Sequence, residues 1–261
     1  MENYGVLVIS HGSRDADWVA LVREAVGSVR LQDPSKPLEC AFLELVDGAL
    51  IQDGLDRLAE QGVDAIIVVP LFISSGSTHI DEIGWALGVK PEPVLETDLQ
   101  RYRSEARIHM CAPIDDDAEI AAVLAEKLAP LSREPQRELV LLVAHGSKED
   151  GFHQRWQQGM SSLAEQVRRI GGYAAADTAM LLPDQTAERL SEWRDKERKP
   201  ELDVLVAPLF LSEGYFTRTV IPQRLAAYDC RYAGSTLLPS PLVTRWIERR
   251  IAEALAELAA I

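Results

Sequence analysis

The sequence predicts an α/β protein built from two duplicated doubly wound parallel-sheet domains, four strands each flanked by helices. Three observations predict it. Residues 5–14 read GVLVISHGSR and residues 139–148 read LVLLVAHGSK, each an unbroken apolar run ending in His-Gly-Ser-cation, with His11 and His145 134 residues apart. AIIVVPLFISSG at 65–76 matches VLVAPLFLSEG at 204–214 in the same order, with Pro70 and Pro208 138 residues apart. A period of that size is a duplicated domain, not a solenoid unit. Finally, the apolar runs are continuous rather than alternating, which is the pattern of strands covered on both faces, and helical segments separate them.

In the first copy the order βαβαβαβα follows element by element. Gly5–Ser10 is an apolar strand and Asp15–Leu31 a helix. Leu38–Leu45 is a strand and Ala49–Gln61 an amphipathic helix. Ala65–Pro70 is the third strand, Ile80–Leu87 a short helix and Arg107–Ala112 the fourth strand. The helix Asp116–Leu131 closes the copy, and the carboxylates at 115–117 suit a helix N-terminus. The second copy repeats the order with strands near Leu139–Ala144, Ala174–Leu181, Asp203–Pro208 and Arg231–Leu237, and ends on the helix Pro241–Leu258. Ser, Pro and charged residues at 132–137 mark the linker, so the expected domains are 1–134, carrying the metal site, and 135–261, a degenerate repeat.

Composition excludes several classes. The chain has 261 residues, 47% of them hydrophobic, enough for one large or two small cores and too many for a disordered protein. Asp plus Glu number 41 against 27 Lys plus Arg, and a formal charge of −14 argues against binding nucleic acid. No apolar run reaches the ~20 residues that span a bilayer, and the N-terminus enters a strand without a basic flank, so the expectation is a soluble cytoplasmic protein that binds no membrane. Cys40, Cys111 and Cys230 are odd in number, far apart and form no CxxC pair, and read as buried thiols. Nothing in the sequence fixes an oligomeric state.

Ligands of such sheets bind beyond the carboxyl ends of the strands. Three segments of the first copy reach that edge. His11 ends the first strand before Gly12 and Ser13; Glu44 ends the second, in CAFLELV; and the small-residue loop Ser74-Ser75-Gly76-Ser77-Thr78 leads to His79. An unpaired carboxylate is costly to bury, so Glu44 is expected to point into a cleft. Two imidazoles and a carboxylate from adjacent strand ends suit a borderline divalent metal with coordination positions left open. Taken one by one, each residue also fits a structural role.

The strings ISHGSR, FLEL and VVPLFISSGSTH, in this order and spacing and across a duplicated chain, resemble the sirohydrochlorin chelatases of the cobalt- and iron-inserting type, in their long two-domain form. The resemblance covers nearly the whole chain. It implies ATP-independent insertion of Co²⁺ or Fe²⁺ into sirohydrochlorin or a related tetrapyrrole, on the route to cobalamin or siroheme, with the metal as substrate and no nucleotide cofactor. Carried over, His11 and His79 hold the metal and Glu44 is their acidic partner. In that family the loop histidine commonly stands two residues after the loop glycine, whereas here Gly76 and His79 are three apart.

The second copy is an internal control. His145 matches His11, but aligning PLFLSEGYFT on PLFISSGSTH puts Thr217 opposite His79, and aligning AMLLPD on FLELVD puts Leu181 opposite Glu44. The second copy is therefore expected to hold no catalytic metal of its own and to wall the substrate cleft. His145, Tyr215, Phe216 and Arg218 are its candidate substrate contacts, with Arg14, Ser74, Ser75 and Gly76 from the first copy. Arg14, Lys148, Arg218 and Arg224 are candidate cations for the substrate's carboxylates. A carrier that binds metal or tetrapyrrole without turnover is the alternative. A hydrolase using Ser10 or Ser13 lacks a G-x-S-x-G elbow, and a dinucleotide enzyme lacks G-x-G-x-x-G after the first strand. His109 and His153 read as structural or solvent-facing.

Overall fold

A computed structural model describes residues 3–194 and 201–259. Strands β1 (Tyr4–Ser10), β2 (Leu38–Phe42), β3 (Ala65–Pro70) and β4 (Arg107–Met110) alternate with helices α1 (Ala16–Gly27), α2 (Ile51–Glu60), α3 (Thr78–Ala86) and α4 (Ala118–Leu128). The second copy runs through β5 (Glu138–Gly146), α5 (Phe152–Gly171), β6 (Ala175–Leu182), α6 (Thr186–Arg194) and β7 (Asp203–Pro208). A π-helical turn (Phe216–Val220) leads into α7 (Ile221–Leu225), β8 (Arg231–Tyr232) and α8 (Pro241–Ala259). Each sheet is parallel throughout, in the orders β2-β1-β3-β4 and β6-β5-β7-β8.

The described residues form two compact units, and these do not follow the expected boundary near 134. One comprises residues 1–114 with 244–261, the other 115–243. Helix α4, from the first repeat, packs on α5 and β7 of the second unit. Helix α8, from the second repeat, belongs to the first unit: Thr244 Oγ1 donates to Ala25 O at 3.2 Å and Glu248 Oε1 accepts from Arg30 N at 2.7 Å. Both helices bury an apolar stripe, Ile120, Val123, Leu124 and Leu128 in one and Val243, Trp246, Ile247 and Ile251 in the other. Periodicity identifies such a stripe but not the sheet it covers.

In the first unit, β1 and β3 are central and wholly buried. Leu7, Ile9, Ala41, Leu55, Leu58, Ile66 and Val68 form one core cluster there, between the sheet and its helices. This explains the near-continuous apolar runs, since a parallel strand covered on both faces has no polar side to alternate with. The topological switch point lies between β1 and β3, whose crossovers leave in opposite directions, and a crevice at their carboxyl ends is where such a sheet accepts a ligand.

Candidate metal centre

The carboxyl end of β1 is shaped by one glycine. Beyond their paired residues, β1 and β2 stay in register, with Leu43 N donating to Ser10 O at 2.9 Å and Glu44 N to His11 O at 3.1 Å. Gly12, at φ 103°, lies so close that a Cβ would stand 1.9 Å from Glu44 O. Only glycine fits, which is why His-Gly-Ser follows the strand. Ser13 Oγ accepts from Asp15 N at 3.0 Å, and Asp15 caps α1 by accepting from Asp17 N and Trp18 N. Ser13 therefore builds the turn. Ser10 is buried in the strand, its hydroxyl directed at Leu71 O.

Loop 71–77 after β3 brings the second histidine. Ser74 is buried, and its Oγ accepts from Gly76 N at 2.9 Å; Gly76 is buried too. Both shape the loop from inside. Helix α3 then starts at Thr78, with His79 in its first turn.

The two imidazoles meet edge to face, with centroids 4.7 Å apart and planes at 74°. Their Nε2 atoms are 3.1 Å apart. His11 Nδ1 lies 3.1 Å from Gly12 O, and His79 Nδ1 lies 2.5 Å from Glu82 Oε1. A carbonyl and a carboxylate can only accept, so each Nδ1 carries a proton, and in the neutral form of either ring Nε2 presents a lone pair. Two lone pairs facing at this distance repel unless a cation, a proton or a metal ion, lies between them. At a metal–nitrogen distance of about 2.1 Å, the observed separation corresponds to an N–metal–N angle of about 95°, close to an octahedral edge.

Glu44 Oε1 stands 3.7 Å from His11 Nε2, with its side chain 52% exposed. That is beyond hydrogen-bond range but within reach of an ion or its bound water. Beside it Leu45 holds φ 66° and is 45% exposed, an apolar side chain on the same rim in a conformation leucine rarely adopts. Among the described residues no group of three His, Cys, Asp or Glu side chains is placed to hold one ion. The centre is thus a two-nitrogen clamp with a loosely placed carboxylate, open on the remaining sides.

Glu82 and Thr97 did not figure in the sequence reading. Glu82 Oε2 accepts from Thr97 Oγ1 at 2.7 Å, and the hydrogen bond from His79, followed by that from Thr97, holds the Glu82 carboxyl below the usual range against the opposing effect of burial. The spacing His79-x-x-Glu82 on a helix was a usable signal, because side chains three apart share a face. Thr97 gave none, lying in an irregular segment far along the chain.

The second unit repeats the frame with different side chains. His145 Nδ1 again lies 3.1 Å from the carbonyl of its own glycine, Gly146. Its ring meets Phe216 edge to face at 5.0 Å and 83°. Phe216, not Thr217, therefore takes the place of His79: it stands two residues after Gly214 where His79 stands three after Gly76, and Thr217 is buried with its hydroxyl bonded to Gly214. The counterpart of Glu44 is likewise Leu182 instead of Leu181, since Ser10 pairs with Phe42 and Ala144 with Met180. At both positions the residue is apolar and lies one place from the one the alignment gave. Phe216 stacks on Phe210 at 5.9 Å, and Tyr215 beside it is 70% exposed.

Of the candidate cations, Arg14 and Lys148 are exposed, Arg218 pairs with Glu213 at 3.2 Å and Arg224 with Asp184. His109 faces Glu257 at 3.5 Å, and His153 Nδ1 lies 2.9 Å from Ser147 O, consistent with structural roles. The three thiols are free, and burial pushes Cys40 and Cys111 up to about 11, so they stay protonated near neutral pH and are poor metal ligands. No described helix is long and apolar enough to cross a membrane.

The fold is that of the two-domain chelatases. SirB of Bacillus subtilis, in a structure with Fe³⁺, superposes with a TM-score of 0.73 over 100% of this chain and 98% of that one, at 20% identity. The sirohydrochlorin chelatase SirB of Bacillus subtilis subspecies spizizenii, in complex with cobalt, gives 0.70 over 97% and 95%, at 19% identity. The CbiX family model matches residues 5–131 and again 139–254, and the chain belongs to that family. A sirohydrochlorin cobaltochelatase of Methanopyrus kandleri is 33% identical over 131 residues, which is 50% of this chain and 87% of the relative, so that relative is about one repeat long.

Proposed function

We propose that this protein inserts Co²⁺ or Fe²⁺ into sirohydrochlorin or a related tetrapyrrole, without a nucleotide cofactor and in the cytoplasm. Membership of the CbiX family and the names of its relatives support the reaction class. The observation that carries the reading is the pair of Nε2 atoms 3.1 Å apart, both with Nδ1 already engaged.

Insertion requires three things of a protein: to strip water from the ion, to take up two pyrrole protons, and to present the ion to one face of the ring. His11 and His79 replace two waters and hold the ion at the rim of the sheet. Two neutral donors bind it weakly enough to let it go, whereas a closed set of thiolates or carboxylates would trap it. As the metal passes to four ring nitrogens, two protons leave them, and the metal stays divalent. Glu44, half-exposed and beside His11, is positioned to accept those protons and pass them to water.

Leu45 offers an apolar edge for the macrocycle, and exposed Arg14 and the loop residues Ser74, Ser75 and Gly76 are the first unit's candidate substrate contacts. His145, the aromatic pair Tyr215 and Phe216, and Arg218 are the second unit's own candidate tetrapyrrole contacts. The reading is tested with purified protein, sirohydrochlorin and either ion, followed by the change in tetrapyrrole absorbance. A rate well above the spontaneous one is expected for Co²⁺ or Fe²⁺. Binding of both substrates without acceleration would make the protein a carrier.

A further inference from the structure

The two histidines are not held alike. His11 Nδ1 bonds the neutral carbonyl of its own neighbour, while His79 Nδ1 bonds a carboxylate that is itself held from behind. Resting on the reading of His11 and His79 as the metal clamp, we propose that Glu82, braced by Thr97, is a positioning residue that locks His79 with its Nε2 lone pair aimed at the ion.

Every hydrogen bond in the chain has one allowed direction. Thr97 Oγ1 accepts from Leu99 N at 3.2 Å, which leaves its own proton to donate to Glu82 Oε2 at 2.7 Å. Glu82 Oε1 accepts from His79 Nδ1 at 2.5 Å. The opposite tautomer of His79 would set a nitrogen lone pair against a carboxylate oxygen and would turn an N–H toward the ion. The Glu82 side chain is only 22% exposed, so water competes poorly for it. A ligating histidine whose other nitrogen donates to a carboxylate is oriented, and made a better donor, by that second bond.

The second unit supplies an independent observation. Its sheet has the same strand order, and His145 keeps the same bond to its glycine. Phe216 stands where His79 would be, and neither Thr219, three residues beyond it, nor Val220, opposite Glu82 when Gly214 is set on Gly76, is acidic. The fold is built without the carboxylate, and the carboxylate is absent where the second imidazole is absent. Glu82 therefore serves the imidazole and not the sheet.

The test compares Glu82→Leu, Glu82→Gln and Thr97→Val with the native protein by two readouts. One is Co²⁺ affinity without tetrapyrrole; the other is the tautomer of His79, read from its ring ¹⁵N shifts in the metal-free protein. Glu82→Leu removes the acceptor and is expected to weaken Co²⁺ binding by about 10–100-fold, with His79 losing its uniform Nδ1–H form. Glu82→Gln keeps an acceptor oxygen, so a smaller loss and a largely retained tautomer are expected, and Thr97→Val should cost only a few-fold. Glu82→Leu that binds Co²⁺ within about twofold of native, with His79 still Nδ1–H, overturns the proposal. If Glu82→Leu does not fold, unchanged affinity and tautomer in both other variants overturn it equally. Native protein that binds no Co²⁺ contradicts the metal clamp, while the tautomer comparison still decides the role of Glu82.

Discussion

Replacing His11 and, separately, His145 by alanine sets function against structure at two matched positions. Each histidine stands at the carboxyl end of a central strand, each bonds the carbonyl of the glycine that follows it at 3.1 Å, and each meets one aromatic ring edge to face, at 4.7 Å for His11 and 5.0 Å for His145. The structural cost should therefore be similar, about 1 kcal/mol from the hydrogen bond and the ring contact together. For a chain of this size that lowers Tm by about 2–4 °C. The functional cost should differ. His11→Ala removes one of only two nitrogens facing the ion, so metal affinity and insertion rate should fall by at least about 100-fold, the upper end of what losing a mere supporting partner costs. His145→Ala removes a nitrogen that faces Phe216; the rate at saturating substrate should stay within about threefold, with any loss appearing in KM. Thermal denaturation and the tetrapyrrole absorbance assay on the same preparations give both numbers. Equal loss of rate in the two variants would refute the asymmetry and put His145 in the metal site.

Other outcomes follow from the same geometry. Gly12→Ala should destabilise the protein by about 3 kcal/mol or more, because its Cβ meets Glu44 O and its φ is positive, while Gly27→Ala, with nothing within 4 Å, should be neutral or stabilise slightly; urea unfolding of both checks it. Glu44→Gln should lower kcat by about tenfold or more with little change in KM, since shape is kept and a proton acceptor is lost; a pure KM effect would contradict this. The depressed Glu82 carboxyl, caused first by its bond to His79, has a folded pKa below its unfolded value. Its stabilising contribution is thus complete above about pH 4.3 and is lost as pH falls through the folded value. Urea midpoints of native protein and Glu82→Gln should accordingly converge as pH is lowered through this window, and a constant gap would show that the carboxylate adds nothing ionic.

The central strands β1, β3, β5 and β7 were legible because they are parallel and buried, so their apolar runs are unbroken, and because Gly12 and Gly146 are forced by the close approach of the neighbouring strand, whereas the last edge strand, expected over 231–237, is only Arg231–Tyr232. His11 and His79 were legible because each follows the carboxyl end of an apolar run, and the duplication then showed that only His11 has a histidine counterpart, His145. What the sequence hid was of three kinds. The register of the second copy slipped by one at Phe216 and at Leu182, since a loop one residue shorter between glycine and ring and a one-residue difference in strand pairing leave no mark in a short alignment. The boundary near 134 marks the repeats, but α4 and α8 cover sheets of the opposite repeat, and an apolar stripe does not name the surface it meets. Glu82 and Thr97 act behind the ligand, where an acidic residue on a helix and a threonine in a loop look like ordinary surface.

The most direct measurement is the position of the metal. A crystal of the protein soaked in Co²⁺, with anomalous diffraction recorded at the cobalt edge, should show one strong peak about 2.0–2.2 Å from Nε2 of both His11 and His79, with Glu44 or water completing the sphere and no peak at His145. A principal peak away from the His11–His79 pair, or one ligated by His145 in its place, would contradict the metal-delivering clamp.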